Sequence, residues 1–381
     1  MESMGDYRVR SGLWSIVAAV RVLVVRLRLI GDVVFTTPVI GALRRAWPDA
    51  HLAYLIEPAA APVVRHHPSL NDVILAPRSR GWRRIRDDLQ LGLQLRRQRY
   101  DLVLDLHSGP RASWLSWLSG ARRRVGFDVK GRTWAYTDVV ARPREIRARH
   151  SVENQWDILA PVLPGLAAPS PATDPVLMVH AAEADASVEA WLQREGLGLG
   201  DELVVVHVSA GNAFRRWPLT SFVELAVRLT AAGPKRRIIL TSGPSEAAAA
   251  ADVVRLVRER RPSSPEAVRT CGDMSLDELH ALVGRARLYI GGDSGPLHVA
   301  ATTRTPIVGL YGPTLPVRSA PWRDPRYWSA AVDVGALPCR PCEQRVCAPG
   351  YFRCLTHITV DAVVAAAERA LALPGPPHRI D

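Results

Sequence analysis

The sequence lacks an apolar run long enough to cross a membrane, which would need about 18–20 residues. The nearest candidate, residues 11–25, is interrupted by Arg21 and continues into what resembles the first core strand. We therefore predict no transmembrane helix and expect a cytoplasmic protein, with a signal peptide at this segment as the weaker alternative. Residues 1–20 are interpreted as an interfacial helix or as an upstream extension with no role in the fold.

Lysine is also scarce, since only Lys130 and Lys235 are lysines among the 49 basic residues. The charge is uneven: residues 1–165 hold 26 basic and 15 acidic residues, a net charge of +11, whereas the remainder carries +1. This asymmetry favours an anionic partner for the first half, although a solvated arginine-rich surface is the alternative. No nucleic-acid-binding motif accompanies the charge, so we predict no nucleic-acid partner.

Cysteine is limited to five residues, of which Cys271 stands apart. The other four follow the spacing CxxC-x4-C-x6-C and are Cys339, Cys342, Cys347 and Cys354. Such a cluster can hold a zinc ion, form disulfides or remain as reduced thiols. Stable disulfides are disfavoured in the cytoplasm, so we predict reduced thiols, no catalytic metal and no cofactor.

The remaining sequence alternates strand and helix patterns, which predicts an α/β fold with parallel, doubly wound sheets. Strands are predicted at residues 21–26, 51–56, 73–75, 101–105, 203–207, 237–241, 288–290 and 306–310. Helices are predicted at 33–46, 82–99, 221–232, 276–283, 297–302 and 361–373. A segment rich in proline and alanine, 161–175, interrupts the alternation. We therefore predict two Rossmann-like domains facing a cleft, 1–165 and 176–360, followed by a helix and tail at 361–381.

Candidate ligand-binding residues follow the strands, because ligands of such sheets lie beyond the carboxyl ends of the strands. Asp32 and His107 are placed there in the first half. In the second half, the glycine-rich turn 291–295 lies between a strand and a helix, an arrangement that suits a phosphate group. The alternative is a plain tight turn with Asp293 as the helix N-cap.

Four segments together resemble glycosyltransferase family 9, the lipopolysaccharide heptosyltransferases that use ADP-heptose. The segments are 26–38 (RLRLIGDVVFTTP), 207–218 (HVSAGNAFRRWP), 243–250 (GPSEAAAA) and 292–301 (GDSGPLHVAA). They occur in the family's order between about residues 21 and 360. The resemblance implies a metal-independent, inverting transferase with two Rossmann-like domains, the GT-B architecture.

The resemblance assigns the catalytic general base to Asp32, for which a helix N-cap is the local alternative. It places Arg215 and Arg216 beside the donor diphosphate, where they can neutralise the charge that develops as the bond breaks. The alternative is a surface pair held by Trp217 and Pro218. Arg215 occupies a position that is typically lysine in the family, and the two cations differ in shape and hydration. The exact donor is therefore left open.

Further donor contacts are predicted from the same segments. Ser294 and Gly295 offer backbone N–H groups to the phosphates, and Ser209 is also assigned to the donor. The resemblance implies that Asp293 accepts hydrogen bonds from sugar hydroxyls. Glu246 suits the two ribose hydroxyls or, alternatively, a helix start. His298 suits a phosphate contact or a buried structural role.

Acceptor contacts are expected from the basic first half. Thr36 and Thr37 lie one helical turn after Asp32, and we predict that they line the same cleft. His107, Arg111 and Arg124, the last within the basic run 122–124, are predicted to meet an anionic acceptor. The segment 150–153 (HSVE) resembles a helix start and is assigned no chemistry.

The sequence thus predicts heptose transfer from ADP-heptose to the inner core of lipopolysaccharide, at the cytoplasmic face of the inner membrane. The expected partners are a nucleotide sugar, an anionic lipid-linked saccharide and the membrane surface, which the protein contacts peripherally. A family relative with another nucleotide sugar or acceptor is the first alternative. A sugar-nucleotide epimerase of similar architecture and a basic, non-catalytic membrane- or RNA-binding module are the others.

Overall fold

The computed structural model describes residues 20–141, 149–198, 200–209, 213–342 and 346–374. Most of the predicted extension 1–20, and 375–381 of the predicted tail, lie outside these residues. In the first half the strands are β1 Arg21–Val25, β2 His51–Ile56, β3 Asp72–Leu75, β4 Leu102–Asp105, β5 Arg123–Phe127 and β6 Asp138–Val140. In the second half they are β7 Glu202–His207, β8 Arg236–Thr241, β9 Val268–Thr270, β10 Leu288–Gly292, β11 Ile307–Tyr311 and β12 Ser329–Asp333.

The helices connect these strands. Those of the first half are α1 Ile30–Val34, α2 Thr37–Ala46, α3 Pro62–Arg65, α4 Gly81–Arg97, α5 Pro110–Leu118 and α6 Ser151–Trp156. The remaining helices are α7 Ala182–Arg194, α8 Leu219–Ala232, α9 Ala247–Arg260, α10 Leu276–Arg285, α11 Gly295–Ala300, α12 Pro316–Ser319, α13 Arg353–Thr356 and α14 Val360–Leu371. Within the described ranges no helix combines the length and apolar character needed to cross a bilayer.

Each half contains one six-stranded sheet. The strand orders are β3-β2-β1-β4-β5-β6 and β12-β11-β10-β7-β8-β9, and all the neighbouring pairs are parallel. The direction of winding reverses between β1 and β4 in the first sheet and between β7 and β10 in the second. Crevices at such reversals are where ligands bind in open α/β sheets.

The apolar run of β1 shows why this strand lies at the centre of its sheet. Its side chains from Val22 to Val25 are fully buried. Val22 and Val24 pack into the largest apolar cluster, and Leu23 and Val25 into a separate cluster on the opposite face. Burial on both faces is what an unbroken apolar strand in a parallel sheet requires.

The helix predicted at 33–46 is two helices, α1 and α2. Pro38 lies in the first turn of α2, where its missing N–H costs no helical hydrogen bond. The hydroxyls of Thr36 and Thr37 donate to the carbonyls of Val33 and Val34 at 2.7 and 2.8 Å. These side chains satisfy carbonyls at the end of α1, and the chain changes direction there.

The segment predicted as a linker packs against both halves. The indole of Trp322 donates to the carbonyl of Asp174 at 2.8 Å, and the carboxylate of Asp174 forms an ion pair with Arg45 of α2. The largest apolar cluster also takes residues from both sheets. The two halves thus share buried surface, whereas the predicted boundaries at 165, 176 and 360 stay predictions.

Candidate functional site

Two strand-to-helix turns, one from each sheet, meet at close range. The first joins β1 to α1 and the second joins β10 to α11. A methyl group built on Gly31 of α1 would lie 2.4 Å from Cδ2 of His298 in α11. One built on Gly295 of α11 would lie 3.0 Å from Cβ of Ile30. Glycine at both positions therefore lets the two helices approach more closely than any side chain would allow.

Asp32 lies at this junction. It is the third residue of α1, whose N-cap is Leu29, so the alternative interpretation of Asp32 as an N-cap is wrong. Its carboxylate forms an ion pair with the guanidinium of Arg26, and 34% of its side chain remains exposed. A partly exposed carboxylate that pairs with Arg26 through one oxygen can still accept a proton from a ligand.

Arg26 and His107 fix the loop after β4 to the turn after β1. The buried Arg26 donates to the carbonyl of Leu106 at 2.6 Å, and Nδ1 of His107 accepts from the N–H of Leu27 at 3.3 Å. Each turn also holds a non-glycine residue in the left-handed region, Leu29 with φ 43° and Ser108 with φ 47°. Such strained backbone persists where the surroundings impose it, and it is common at functional sites.

Asp293, at the end of β10, is enclosed instead. It accepts from Nε2 of His298 at 3.3 Å and from the hydroxyl of Thr314. Burial opposes its ionisation, but the hydrogen bond and charge of His298, the Thr314 hydroxyl and the charge of Arg215 together hold the pKa of Asp293 below its usual range. The adjacent Ser294 is the N-cap of α11, so the alternative of an Asp293 N-cap is wrong.

His298 is a buried side chain at the centre of the junction. Its ring contacts Phe35 with ring centroids 4.4 Å apart, and its Nδ1 has no hydrogen-bond partner among the described residues. The structure thus gives His298 the buried position that one sequence interpretation favoured. Ser294 and Gly295, predicted to bind phosphate, begin the same helix, where the first N–H groups have no partner within the helix.

Arg215 ends the short 3₁₀ turn Ala213–Arg215 after β7. Its carbonyl oxygen lies 3.6 Å from where a Cβ on Gly292 would stand, which brings it to the end of β10. The buried Nε of Arg215 has no hydrogen-bond partner within the described part of the chain. A buried cationic donor without a partner is costly, so the arrangement suits an anionic ligand.

Glu246, Ser209 and Arg216 form a second polar cluster at the same edge. One carboxylate oxygen of Glu246 accepts from the Ser209 hydroxyl at 2.6 Å, and the other pairs with Arg216. Burial acts against ionisation, yet the bonds from Ser209 and Ser245 and the charge of Arg216 leave the pKa of Glu246 lowered. A Cβ on Gly243 would lie 2.8 Å from the same carboxylate, so this glycine makes room for it.

Two acceptor predictions are corrected by the packing of the first half. Thr36 and Thr37 are fully buried and do not line a cleft. Thr36 shares a hydrogen bond of 2.7 Å with the hydroxyl of Tyr54, and Thr37 accepts from Leu177. Their hydroxyls are used in hydrogen bonds to the carbonyls of Val33 and Val34, at the break between α1 and α2.

Arg111 and Arg124 are also held by the protein itself. Arg111 donates to Asp88 and Glu57, at 2.6 and 3.1 Å, and only 8% of its side chain is exposed. Arg124 donates to the carbonyls of Ala135 and Ala121. It also lies near the start of β5, whereas ligands bind at the carboxyl ends of strands. Among the acceptor residues predicted from the sequence, His107 is the one that bonds to the turn between β1 and α1 in the described part of the chain, through the N–H of Leu27.

Other predictions concern residues outside this junction. His150 caps α6 and forms a capping box with Glu153, so the predicted helix start is confirmed. The four clustered cysteines are free thiols, and no group of three or more potential ligands within the described ranges could hold a metal ion. Arg26 and Thr314 were not assigned a role from the sequence. For Arg26 the sequence did contain a signal, because it directly follows the buried strand β1, where ligand-binding residues are expected.

The comparisons with known proteins agree with this geometry. The family model "Glycosyltransferase family 9 (heptosyltransferase)" matches residues 89–350. The chain is 27% identical over 356 residues to "Lipopolysaccharide heptosyltransferase 3" of Escherichia coli, covering 91% of this chain and 97% of the relative.

Solved structures share the architecture. "E. coli ADP-heptose lps heptosyltransferase II" superposes with a TM-score of 0.73 at 20% identity, covering 92% of this chain and 98% of the other. "E. coli heptosyltransferase WaaC with ADP-2-deoxy-2-fluoro heptose" gives a TM-score of 0.65 at 20% identity, with 92% and 99% covered. The predicted GT-B fold of two parallel sheets is confirmed.

Proposed function

We propose, given that the chain belongs to glycosyltransferase family 9, that it transfers a heptose from ADP-heptose to the inner core of lipopolysaccharide. The E. coli relative is a lipopolysaccharide heptosyltransferase, and the E. coli WaaC structure contains an ADP-heptose analogue. The reaction takes place at the cytoplasmic face of the inner membrane. The observation that carries the proposal is the direct contact of the turn bearing Asp32 with the turn bearing Asp293 and Ser294.

Asp32 is the general base of this reaction. The acceptor hydroxyl attacks the anomeric carbon of the heptose while its proton passes to the Asp32 carboxylate. The bond from the anomeric carbon to the diphosphate breaks, its electron pair leaves with ADP, and the configuration at the carbon is inverted. Arg26 orients the carboxylate, since it is anchored on the Leu106 carbonyl and pairs with one carboxylate oxygen.

The second half stabilises the leaving diphosphate. Arg215 lies near the end of β10 with a buried, unpartnered Nε, and the N–H groups of Ser294 and Gly295 begin α11. Fixed donors of this kind stabilise charge that grows in the transition state without reorganising. The diphosphate therefore needs no metal ion in this mechanism.

The cluster around Glu246 holds the ribose. The lowered pKa of Glu246 keeps it an acceptor for hydroxyl groups, and Ser209 and Arg216 fix its orientation. Asp293 is only 8% exposed at its side chain. Both of its oxygens already have partners. In place of the predicted contact with sugar hydroxyls, we therefore assign Asp293 to holding His298 and Thr314, and with them the start of α11.

A relative that uses another nucleotide sugar is the second candidate, and one observation favours it. The residue before Arg216 is Arg215, where lysine is typical of the family that the sequence resembles. Guanidinium and ammonium groups present different donors to a phosphate. Ribose and diphosphate are also common to all nucleoside-diphosphate sugars, so the contacts proposed above do not select the base or the sugar.

The deciding experiment incubates the protein with a panel of nucleotide sugars and heptose-free core lipid, with mass spectrometry as the readout. We expect a mass gain of one heptose from ADP-heptose alone. Initial rates should be unchanged by EDTA. Gain from a different nucleotide sugar would select the second candidate, and a rate that EDTA abolishes and magnesium restores would contradict the metal-independent mechanism.

A further inference from the structure

The helix α4 presents an apolar stripe to solvent that no packing among the described residues of the first half explains. Trp82, Ile85, Leu89 and Leu93 lie on one side of it, because they recur at intervals of three and four residues. All four side chains are exposed, Trp82 by 85%. The opposite side, with Leu91 and Leu95, is buried, so α4 has two apolar sides and needs only one for the core.

A group of three tryptophans lies on the neighbouring helix α5 and on the short 3₁₀ turn Thr133–Ala135. Trp114 and Trp117 of α5 stack with ring centroids 5.3 Å apart, and Trp134 packs edge-on against both at 6.3 and 6.0 Å. The three rings are between 38% and 53% exposed. Large aromatic groups clustered at the surface of a protein commonly mark an interaction site.

The two sets of side chains lie side by side. Arg111 of α5 bonds to Asp88 of α4, and a Cβ on Gly92 would lie 2.7 Å from the side chain of Leu118. These contacts align α4 and α5 in parallel, with Asp88 level with Arg111 and Gly92 level with Leu118. Leu89 and Trp114 lie between those levels, and both side chains are exposed.

We define the apolar face as the seven exposed side chains of these elements. They are Trp82, Ile85, Leu89, Leu93, Trp114, Trp117 and Trp134.

The charge around the apolar face identifies its partner. Residues 78–99 contain eight arginines and two aspartates. Arg83, Arg96 and Arg97 are all exposed on α4. A second copy of the chain would bring this basic helix against itself, which like charges oppose. An amphipathic helix with arginines beside tryptophan and leucine instead suits an anionic lipid surface.

We propose that the apolar face docks on the surface of an anionic membrane. The tryptophans and leucines enter the headgroup region, and the arginines of α4 contact lipid phosphates. Tryptophan favours this depth because its ring is amphipathic. Helices α4 and α5 both begin just beyond the carboxyl ends of their preceding strands, the sheet edge that also carries Asp32. A saccharide standing on the bilayer would therefore be held at the entrance of the cleft.

Vesicle flotation of the full chain tests this inference without donor or acceptor. Wild type should float with phosphatidylglycerol vesicles at low salt and much less with phosphatidylcholine vesicles. The triple variant Trp82→Gln, Leu89→Gln, Leu93→Gln should bind at least about ten-fold more weakly, since each loses apolar contact with the lipid. The triple variant Arg83→Gln, Arg96→Gln, Arg97→Gln should bind the anionic vesicles about five-fold more weakly for each arginine removed. Its binding should also lack the salt dependence of wild type.

The matched control carries Leu166→Gln, Val179→Gln and Tyr351→Gln, which removes three exposed apolar side chains elsewhere. It should bind vesicles as wild type does, and thermal unfolding should be the same for all variants. Equal flotation of wild type on both lipids, or wild-type binding by the Trp82 triple variant, would overturn the inference. Sedimentation velocity reports the rival occupant: a dimer lost only in the Trp82 variant, with vesicle binding kept, would assign the face to a second copy.

The inference depends on the proposed function only for the position of the acceptor. A lipid-free saccharide acceptor separates the two, because transfer to it needs the cleft but not the membrane. The Trp82 triple variant should keep wild-type transfer rates with this acceptor and lose rate with acceptor in vesicles. If wild type transferred heptose to neither acceptor, the proposed function would be contradicted. The flotation result would then still decide whether the apolar face is a docking surface.

Discussion

The two halves of the junction hold their carboxylates in different ways. Asp32, from the first half, keeps 34% of its side chain exposed and pairs with Arg26 through one oxygen. Glu246 and Asp293, from the second half, are only 4% and 8% exposed at their side chains. Both oxygens of each of these buried groups have partners.

This difference in exposure matches the different needs of a catalytic base and of a ligand-binding group. A base must be reached by the hydroxyl that it deprotonates, so it stays open to the cleft. Groups that bind a nucleotide or shape its site gain from being fixed beforehand, because less ordering remains to be done when the ligand arrives. The first half thus resembles the reacting side and the second half a preformed binding side. Variants on each side test that division, from the largest expected effect to the smallest.

Replacing Asp32 should have the largest effect. Asp32→Asn removes the proton acceptor but keeps the size of the side chain, so we expect turnover to fall by about 100- to 10,000-fold. Donor affinity, measured by calorimetry with ADP-heptose, should stay close to that of wild type, because the nucleotide contacts that we propose lie in the other half.

Arg26→Gln is the companion variant. It removes the partner of Asp32 without touching the carboxylate, so its loss of turnover should be smaller than that of Asp32→Asn. Activity of Asp32→Asn within about threefold of wild type would remove Asp32 from the role of base, given that a base supplies at least about 100-fold.

Replacing Arg215 should weaken the other side. For Arg215→Ala we expect kcat to fall by about 100- to 1,000-fold, as for other fixed donors to developing charge. The donor KM should change less, because the charge is greatest as the bond breaks. Arg215→Lys keeps the charge and should recover much of the activity. A change in KM alone would mean that Arg215 binds ground state and transition state equally.

The contact between the halves offers a third test. The Cβ of Gly31→Ala would lie 2.4 Å from the buried ring of His298, which is packed on Phe35 and cannot move freely. Overpacking of this kind lowers the free energy of unfolding by about 1–3 kcal/mol. We also expect kcat to fall about ten-fold, because the two turns that carry the candidate site would be displaced. Denaturant unfolding and initial rates measure the two effects.

Gly284→Ala is the matched control. This glycine lies in α10, and no atom stands within 4 Å of the point where its Cβ would lie, so the open space accepts a methyl group. We expect unchanged activity and a gain of up to about 1 kcal/mol in stability. If Gly31→Ala behaved like Gly284→Ala, the close approach of α1 and α11 would have no part in activity.

The sequence predicted the parts of this site that depend on local patterns. Buried strands and glycine turns placed Asp32 and the start of α11 at the ends of strands, since apolar runs and turn residues act over a few positions. The helix over 33–46 failed as one element because Pro38 and two threonine hydroxyls together break it. Thr36 and Thr37 lie at that break, and both are fully buried.

Long-range pairing was beyond such patterns. Arg111 is 23 residues from Asp88 and 54 from Glu57 along the chain, so nothing local indicates that it is already neutralised. Strand β5 was not predicted, and without it the basic run 122–124 could not be assigned to the start of a strand. The basic run was therefore predicted to meet the acceptor, although it lies at the start of β5 and ligands bind at the carboxyl ends of strands.

The smallest expected effect is on the pH dependence of stability, and it comes from buried histidines that both halves contain. His67 in the first half and His207 in the second are both buried, and burial lowers the pKa of each to about 4. The ordinary pKa of histidine is about 6.5. Between these values the unfolded chain binds a proton that the folded protein does not, so the free energy of unfolding should fall as the pH drops from about 6.5 to 4.

His67→Asn isolates one of these groups away from the junction. Nδ1 of His67 accepts from the N–H of Ser69 at 3.2 Å, and the asparagine oxygen can keep that bond while removing the titration. Urea unfolding at pH 7 and pH 5 should show a stability loss about 1–2 kcal/mol smaller in the variant than in wild type. His207 still titrates in the variant, so part of the pH dependence should remain. An identical loss in both proteins would mean that His67 is protonated in the folded state. Turnover at pH 7 should be unchanged in either case, because the proposed mechanism gives His67 no part.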